Sequence, residues 1–189
     1  MLNIFWRVLK INFKLRGNMH LKYKKILIVG CGGAGKSTLA VMLGQKLNIN
    51  VVHLDKLHWL SGWIERDDTE FEILLENELK KESWIIDGNY FRTFEKRLKN
   101  AELCIFLDYS TEPSINSVKE RVDKYAGTNR PDMTVGCIEK VDDEFIEWVY
   151  NYNCDIRPKI LNVLQNSNVD YLIFTSRKQT QDWLNKIDN

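Results

Sequence analysis

Unbroken apolar runs alternate along this chain with stretches where apolar residues recur every three or four positions, and the two periods separate buried strands from helices. Ile26-Leu27-Ile28-Val29 predicts a strand over residues 24–29. Leu39, Leu43 and Leu47, spaced by four, predict a helix over 36–47. A second strand over 50–54 ends at Asp55, and Asp67 with Glu70 makes a capping-box-like start to a helix whose stripe is Phe71, Leu74, Leu75 and Leu79. A strand over 84–86 runs into Asp87-Gly88 and another over 103–107 into Asp108. A helix over 112–125 precedes the loop 126–136, which is rich in Gly, Asn, Arg and Pro and poor in apolar residues, and so is the lid candidate. The spacing of Phe145, Trp148, Val149 and Tyr152 predicts a helix over 142–153, and Pro158 should break or kink the segment after it. A strand over 171–174 and a helix over 178–187 close the chain. Strands alternating with helices imply an α/β fold in three layers, with about five parallel strands buried on both faces.

Directly after the first strand stands Gly30-Cys-Gly-Gly-Ala-Gly35-Lys36-Ser37. The pattern G-x-x-x-x-G-K-[ST] between a strand and a helix wraps backbone N–H groups around phosphate at the helix N-terminus. The same residues satisfy G-x-G-x-x-G through Gly30, Gly32 and Gly35, with Asp55 near the place of a ribose-binding acid, so a dinucleotide cofactor is the rival reading. Only a triphosphate explains Lys36, which would neutralise β- and γ-phosphate charge, and Ser37, whose hydroxyl would ligate Mg²⁺. Cys31 contributes through its backbone N–H more than through its thiol.

With 189 residues and 44% hydrophobic content, one domain with a small lid is the size class implied. The net charge of +1 hides an asymmetry. Residues 1–25 carry seven basic side chains and no acid, while the rest carries 20 basic against 26 acidic residues, which disfavours direct DNA binding by the body of the domain. Residues 1–22 read as a basic N-terminal extension. Met19 offers a later start, and the rival is a membrane-surface helix built on Leu2, Phe5, Trp6, Leu9, Phe13 and Leu15. No apolar run reaches the ~18 residues of a membrane span. Cys31, Cys104, Cys137 and Cys154 form no C-x-x-C pair and read as reduced thiols of a cytoplasmic protein.

The segment Ser83-Trp-Ile-Ile-Asp87-Gly-Asn-Tyr-Phe-Arg92-Thr resembles the third-strand segment of adenylate kinases, where an apolar strand runs into Asp-Gly and then Arg-Thr. From Lys24 onward the chain is similar to the bacterial group of DNA topology modulation proteins, which are adenylate-kinase-like. The likeness is carried by His53-Leu-Asp55-Lys-Leu-His-Trp59, Trp63, Ile86-Asp87-Gly88-Asn89-Tyr90, Arg130-Pro-Asp132 and Cys137-Ile-Glu139-Lys. It implies a nucleoside/nucleotide kinase-like P-loop NTPase fold over 23–189, with a lid around 126–138. It also implies that Gly30, Cys31, Gly32, Gly33, Ala34, Gly35, Lys36, Ser37 and Thr38 hold ATP, and that Asp87 orients Mg²⁺ beside Ser37. Asp108 competes for that role, since it too ends an apolar strand.

Phosphoryl transfer needs charge clamps and a group that positions the acceptor, more than covalent chemistry. The clamp candidates are Lys36, Arg92, Arg121 and Arg130, and Asp55 is the candidate for holding the acceptor hydroxyl. Trp59 and Trp63 could wall a flat acceptor or merely pack their loop. His53, His58 and Asp55 lack zinc-site spacing. Glu139 and Lys140 read as solvent-facing or locally paired. Two functions stay open: an ATP-dependent kinase for a small hydroxyl- or phosphate-bearing, nucleoside- or nucleotide-like acceptor, and an ATP-dependent regulator of DNA topology without one.

Overall fold

The computed structural model describes residues 21–140 and 142–187, so the first twenty residues of the basic extension lie outside the described residues. Its centre is β1 (Lys25–Gly30), whose Ile26, Leu27, Ile28 and Val29 are wholly buried, as an apolar run covered on both faces requires. α1 (Lys36–Leu47) follows and buries Leu39, Ala40 and Leu43. It leads to β2 (Val51–His53) at the sheet edge. β5 (Trp84–Asp87) returns between β2 and β1, and β6 (Leu103–Leu107) and β7 (Asp170–Phe174) extend the sheet on the other side. The order is β2-β5-β1-β6-β7 with every pairing parallel, the five-stranded α/β sheet that the alternation predicts. Register sets His53 and Ile28 on either side of Asp87 at one end of the sheet.

Between β2 and β5 the chain differs from the sequence reading. The second strand stops at His53, and Leu54 opens α2 (Leu54–His58), so Asp55 sits in a short helix instead of just past a longer strand. A hairpin of two-residue strands follows, β3 (Trp59–Leu60) and β4 (Ile64–Glu65), too short to show any period in sequence. α3 (Asp68–Leu79) is capped by Asp67, whose carboxylate accepts from the N–H groups of Thr69 and Glu70. Phe71, Leu75 and Leu79 are buried in it.

After β5, a 3₁₀ turn (Phe91–Thr93) leads into α4 (Phe94–Asn100), whose apolar stripe is interrupted by Arg97 and was not predicted. Arg97 is fully buried. Its fork donates to the carbonyls of Gly88 (3.0 Å), Asn89 and Tyr90 (3.1 Å), and its Nε to Thr93 Oγ1 (3.1 Å), so it pins the loop that carries Tyr90 and Arg92. α5 (Thr111–Tyr125), α6 (Asp143–Asp155), α7 (Arg157–Gln165) and α8 (Arg177–Leu184) complete the layers. Pro158 does not break a helix here. It lies in the first turn of α7, where its missing N–H would have had no helical acceptor in any case. Among the described residues no helix is long and apolar enough to cross a membrane.

Candidate active site

The loop between β1 and α1 takes its shape from glycines at two positions. Gly35 caps α1 at φ +88°, a left-handed conformation, and a Cβ built there meets no atom within 4 Å, so the space beside it is open. Gly33, at φ +76°, lies so close to α5 that a Cβ would sit 2.2 Å from the Ser114 carbonyl oxygen. No side chain caps α1, and the first N–H groups of a helix have no intrahelical acceptor. Such an uncapped helix start is suited to an anion. Thr38 is exposed. Gly30 N donates to Asn89 Oδ1 at 3.1 Å, which ties the loop's entry to the segment after β5.

Lys36 folds back and its Nζ donates to the Cys31 carbonyl at 3.0 Å. Burial pulls the ammonium pKa down, and the charges of Asp55 and Asp87 oppose that pull, so all three groups share one pocket of charge. Cys31 is buried, its Sγ facing the Val149 carbonyl at 3.8 Å. Burial pushes its thiol up to about 11, which makes it a space-filling group and not a nucleophile.

Asp87, 3% exposed, accepts the Ser37 hydroxyl on Oδ2 at 2.8 Å, and its Oδ1 lies 2.5 Å from His53 Nδ1. For His53, burial alone would lower the pKa, but the bond to Asp87 and the charges of Asp87 and Asp132 raise it. His58 goes elsewhere. It packs edge-on to Trp59 and Phe71 and tilted on Tyr90, at centroid distances of 4.8, 5.6 and 4.8 Å. Asp108 is committed to Arg157, which donates to both of its oxygens at 2.6 and 2.8 Å. Of the two strand-ending acids, therefore, only Asp87 touches the loop serine.

The loop 126–139 is knit by Asn129, whose side chain donates to the Thr134 carbonyl and accepts from Gly136 N, both at 2.7 Å. Although its composition is polar, it buries Met133, Cys137, Arg130 and Glu139. Of the two readings open for Glu139, solvent-facing and locally paired, the second holds. Arg121 Nε donates to its Oε1 at 2.9 Å, and Arg130 Nε forms an ion pair with its Oε2 at 2.8 Å. Arg130 also faces Asp132 at 3.8 Å, and although burial would raise the Asp132 pKa, the charge of Arg130 and the nearby Ser37 hydroxyl hold it below the ordinary carboxylate range. Burial lowers the Arg121 pKa, helped by Arg130 and opposed by Glu139, and its guanidinium lies 5.5 Å over the Phe145 ring. One line of paired charges thus runs from Asp132 through Arg130 to Glu139 and Arg121.

This loop is fastened to the β3–β4 hairpin. Trp63 Nε1 donates to the Ile138 carbonyl at 2.8 Å, Thr134 Oγ1 to the Trp59 carbonyl at 2.7 Å, and Gly62 N to the Gly136 carbonyl at 3.1 Å. Trp63 therefore serves as a latch, with Trp59 edge-on to it at 5.5 Å.

Asp55 accepts the Tyr90 hydroxyl at 2.8 Å. Tyr90 is held at φ +34°, a conformation that costs a non-glycine residue of order 1–3 kcal/mol. Burial and Asp55 hold its phenol far above the usual range. Arg92 is not brought to this cluster. Its guanidinium, half-exposed, pairs with Asp68 and with Glu72 (3.7 Å) at the start of α3. Of the sequence candidates, Lys36, Ser37, Asp55, Asp87, Arg121 and Arg130 are drawn together. Sequence reasoning gave no role to Glu139, Asp132 or Asn89, and it considered His53 only as a metal ligand. The one signal for them is their presence inside the segments Asp87-Gly-Asn89, Arg130-Pro-Asp132 and Cys137-Ile-Glu139.

Neither a protein-family model nor a curated protein sequence matches the chain. Solved structures do. A shikimate kinase from Bacteroides thetaiotaomicron is 21% identical, aligned over 87% of this chain and 95% of its own, with a TM-score of 0.52. A shikimate kinase from Acinetobacter baumannii, solved in complex with shikimate, is 14% identical over 87% and 90% of the two chains, with a TM-score of 0.55. A gluconokinase from Sinorhizobium meliloti 1021 is 14% identical over 86% and 88%, with a TM-score of 0.51. At such identities the likeness speaks for architecture and not for substrate. The chain has the fold of the P-loop small-molecule kinases.

Proposed function

We propose that this protein is an ATP-dependent kinase that transfers the γ-phosphate of ATP to a small hydroxyl- or phosphate-bearing acceptor. The observation that carries the reading is the contact of Ser37 with Asp87 beside Lys36, at the uncapped start of α1. The loop from Gly30 to Thr38 would hold the phosphates of ATP. Ser37 and Asp87 offer the oxygen donors that suit Mg²⁺, which when bound would neutralise charge on the phosphates. Lys36 supplies a compact cation and Arg121 and Arg130 planar forks that match phosphate oxygens, with Arg130 buried and Lys36 and Arg121 half-buried. On this reading the 126–139 loop is a lid. Asp55, oriented by Tyr90, would accept the acceptor's proton.

The kinship with bacterial DNA topology modulation proteins belongs to the same proposal and rests on the sequence segments that run from His53 to Lys140. A cytoplasmic setting is supported by the four cysteines, all of them free thiols. The test is ADP release from ATP with and without a panel of nucleosides, nucleotides and small polyols. We expect one acceptor class to raise turnover, with the stimulation lost in Asp55→Asn. Turnover that no acceptor changes, alongside salt-sensitive DNA binding, would overturn the kinase reading.

A further inference from the structure

The segment between β2 and β5 is where an acceptor would meet Asp55, and its charge is one-sided. Residues 54–72 carry Asp55, Glu65, Asp67, Asp68, Glu70 and Glu72 against Lys56 and Arg66. The arginines around this segment already have partners. Arg92 is paired with Asp68 and Glu72, and Arg66 donates to the Leu57 carbonyl at 2.7 Å and to Glu70 at 3.3 Å. Arg97 is buried among carbonyls. A phosphate or carboxylate entering here would meet an acidic field, and to gain an arginine it would have to break one of these pairs, while Lys56, the segment's other cation, is exposed and stands against six acids.

A cavity of about 190 Å³ opens in the same place, lined by His58, Asp68, Phe71, Tyr90, Phe91 and Arg92. It is below the ~300 Å³ at which pockets for drug-sized ligands begin, so it has room for a single small ring system. Its walls are mostly rings. Tyr90 joins the cavity to the transfer site, because its ring forms part of the wall while its hydroxyl binds Asp55.

Resting on the kinase reading above, we propose that the acceptor is an uncharged, ring-bearing hydroxyl compound, of the kind represented by a nucleoside or another neutral cyclic alcohol, and not a phosphate or carboxylate. Its ring lies against Tyr90 and Phe91, on the open side of the packed His58, Phe71 and Tyr90 rings, and its hydroxyl is directed at Asp55. In the transfer, the hydroxyl oxygen forms the new bond to the γ-phosphorus. The bond from that phosphorus to the bridging oxygen breaks, ADP departs with the electron pair, and the hydroxyl proton passes to Asp55.

The experiment is calorimetric binding to the full chain without ATP, using matched pairs: nucleosides against their 5′-monophosphates, and neutral cyclic alcohols against carboxylates of the same ring. We expect a neutral member to bind at least tenfold more tightly than its anionic partner. The double substitution Asp68→Asn with Glu72→Gln, which frees Arg92, should narrow that gap at least threefold. Should the double variant not fold, Arg92→Gln serves instead: anion affinity, already weak, should not fall further. Anions binding as tightly as neutral ligands, no neutral ligand binding, a gap unmoved in the folded double variant, or anion affinity lost in Arg92→Gln would each overturn the proposal. Loss of the kinase reading has a separate signature, namely ATP binding unaffected by Lys36→Ala.

Discussion

The Ser37 hydroxyl donates to Asp87 at 2.8 Å, joining the first turn of α1 to the end of β5 across fifty positions of sequence. The parallel register of β5 against β1 makes the contact possible, because it brings the carboxyl ends of the two strands level. Asp108, which ends its own apolar strand, is instead held by both nitrogens of the Arg157 fork.

The two acids should therefore respond differently to neutralisation. Asp87→Asn should raise the Mg²⁺ concentration needed for half-maximal ATP turnover by tenfold or more. Asp108→Asn should leave that requirement within about twofold and lower the melting temperature, since it weakens a charge-assisted pair worth about 1.5–3 kcal/mol. Titrating Mg²⁺ against turnover in both variants checks this, and equal Mg²⁺ requirements would count against Asp87.

Glu139 lies between two arginines, with its side chain only 2% exposed. Glu139→Gln removes the charge that Arg121 and Arg130 share and leaves two cations close together. Breaking a buried pair in this way costs about 3–5 kcal/mol, and we expect the lower part of that range because Arg121 is a quarter exposed. Added ATP should recover much of the lost melting temperature, since its phosphates would replace the missing carboxylate. A melting curve unchanged by the substitution would mean that the clasp contributes nothing.

The Trp63 indole fixes the hairpin to the 126–139 loop through one hydrogen bond, to the Ile138 carbonyl. Trp63→Phe keeps most of the ring and removes the donor, at a cost of about 1 kcal/mol. Opening of the loop should become several-fold more frequent, and limited proteolysis within 126–139 correspondingly faster. Cleavage at the wild-type rate would contradict the latch.

His53 gives a pH signature in chelator-treated protein. Its folded pKa is raised above the ordinary histidine value by Asp87 and Asp132, against the effect of burial. A group raised on folding stabilises fully below its unfolded pKa, near ~6.5 for histidine, and loses that contribution as pH climbs through the folded value. The urea midpoint should therefore fall between pH 6 and pH 8 in the wild type, and His53→Gln should flatten the fall. Parallel pH profiles for the two proteins would exclude His53 as the source.

How legible all this is in the sequence depends on the range of the interactions. β1, the glycine loop and α1 can be read because an apolar run, a motif and a four-residue spacing are local signals, and the five-strand sheet follows from repeating them. Leu54–His58 as a helix could not be read, since five residues give too little period. The reading of Pro158 as a residue that breaks or kinks the segment after it misses that proline also suits the first turn of a helix, where it stands here. Glu139 could not be told from a solvent-facing acid because its burial depends on Arg121, eighteen residues away. Arg92 looked like a clamp because the sequence cannot show that Asp68 and Glu72 already hold it. Asp55, Asp87, Arg121 and Arg130 were picked out as individual residues, but the contacts that join them through His53, Asp132, Tyr90 and Glu139 exist only in three dimensions.

The central claim is that the loop at Gly30 to Thr38, with Lys36, Ser37 and Asp87, holds ATP and Mg²⁺. Isothermal titration of ATP with Mg²⁺ into the wild type and into Lys36→Ala tests it most directly, with circular dichroism to show that both proteins are folded. The account predicts saturable binding of one ATP by the wild type and a loss of at least a hundredfold in Lys36→Ala. Equal affinity in the two proteins, or no binding by the folded wild type, would contradict it.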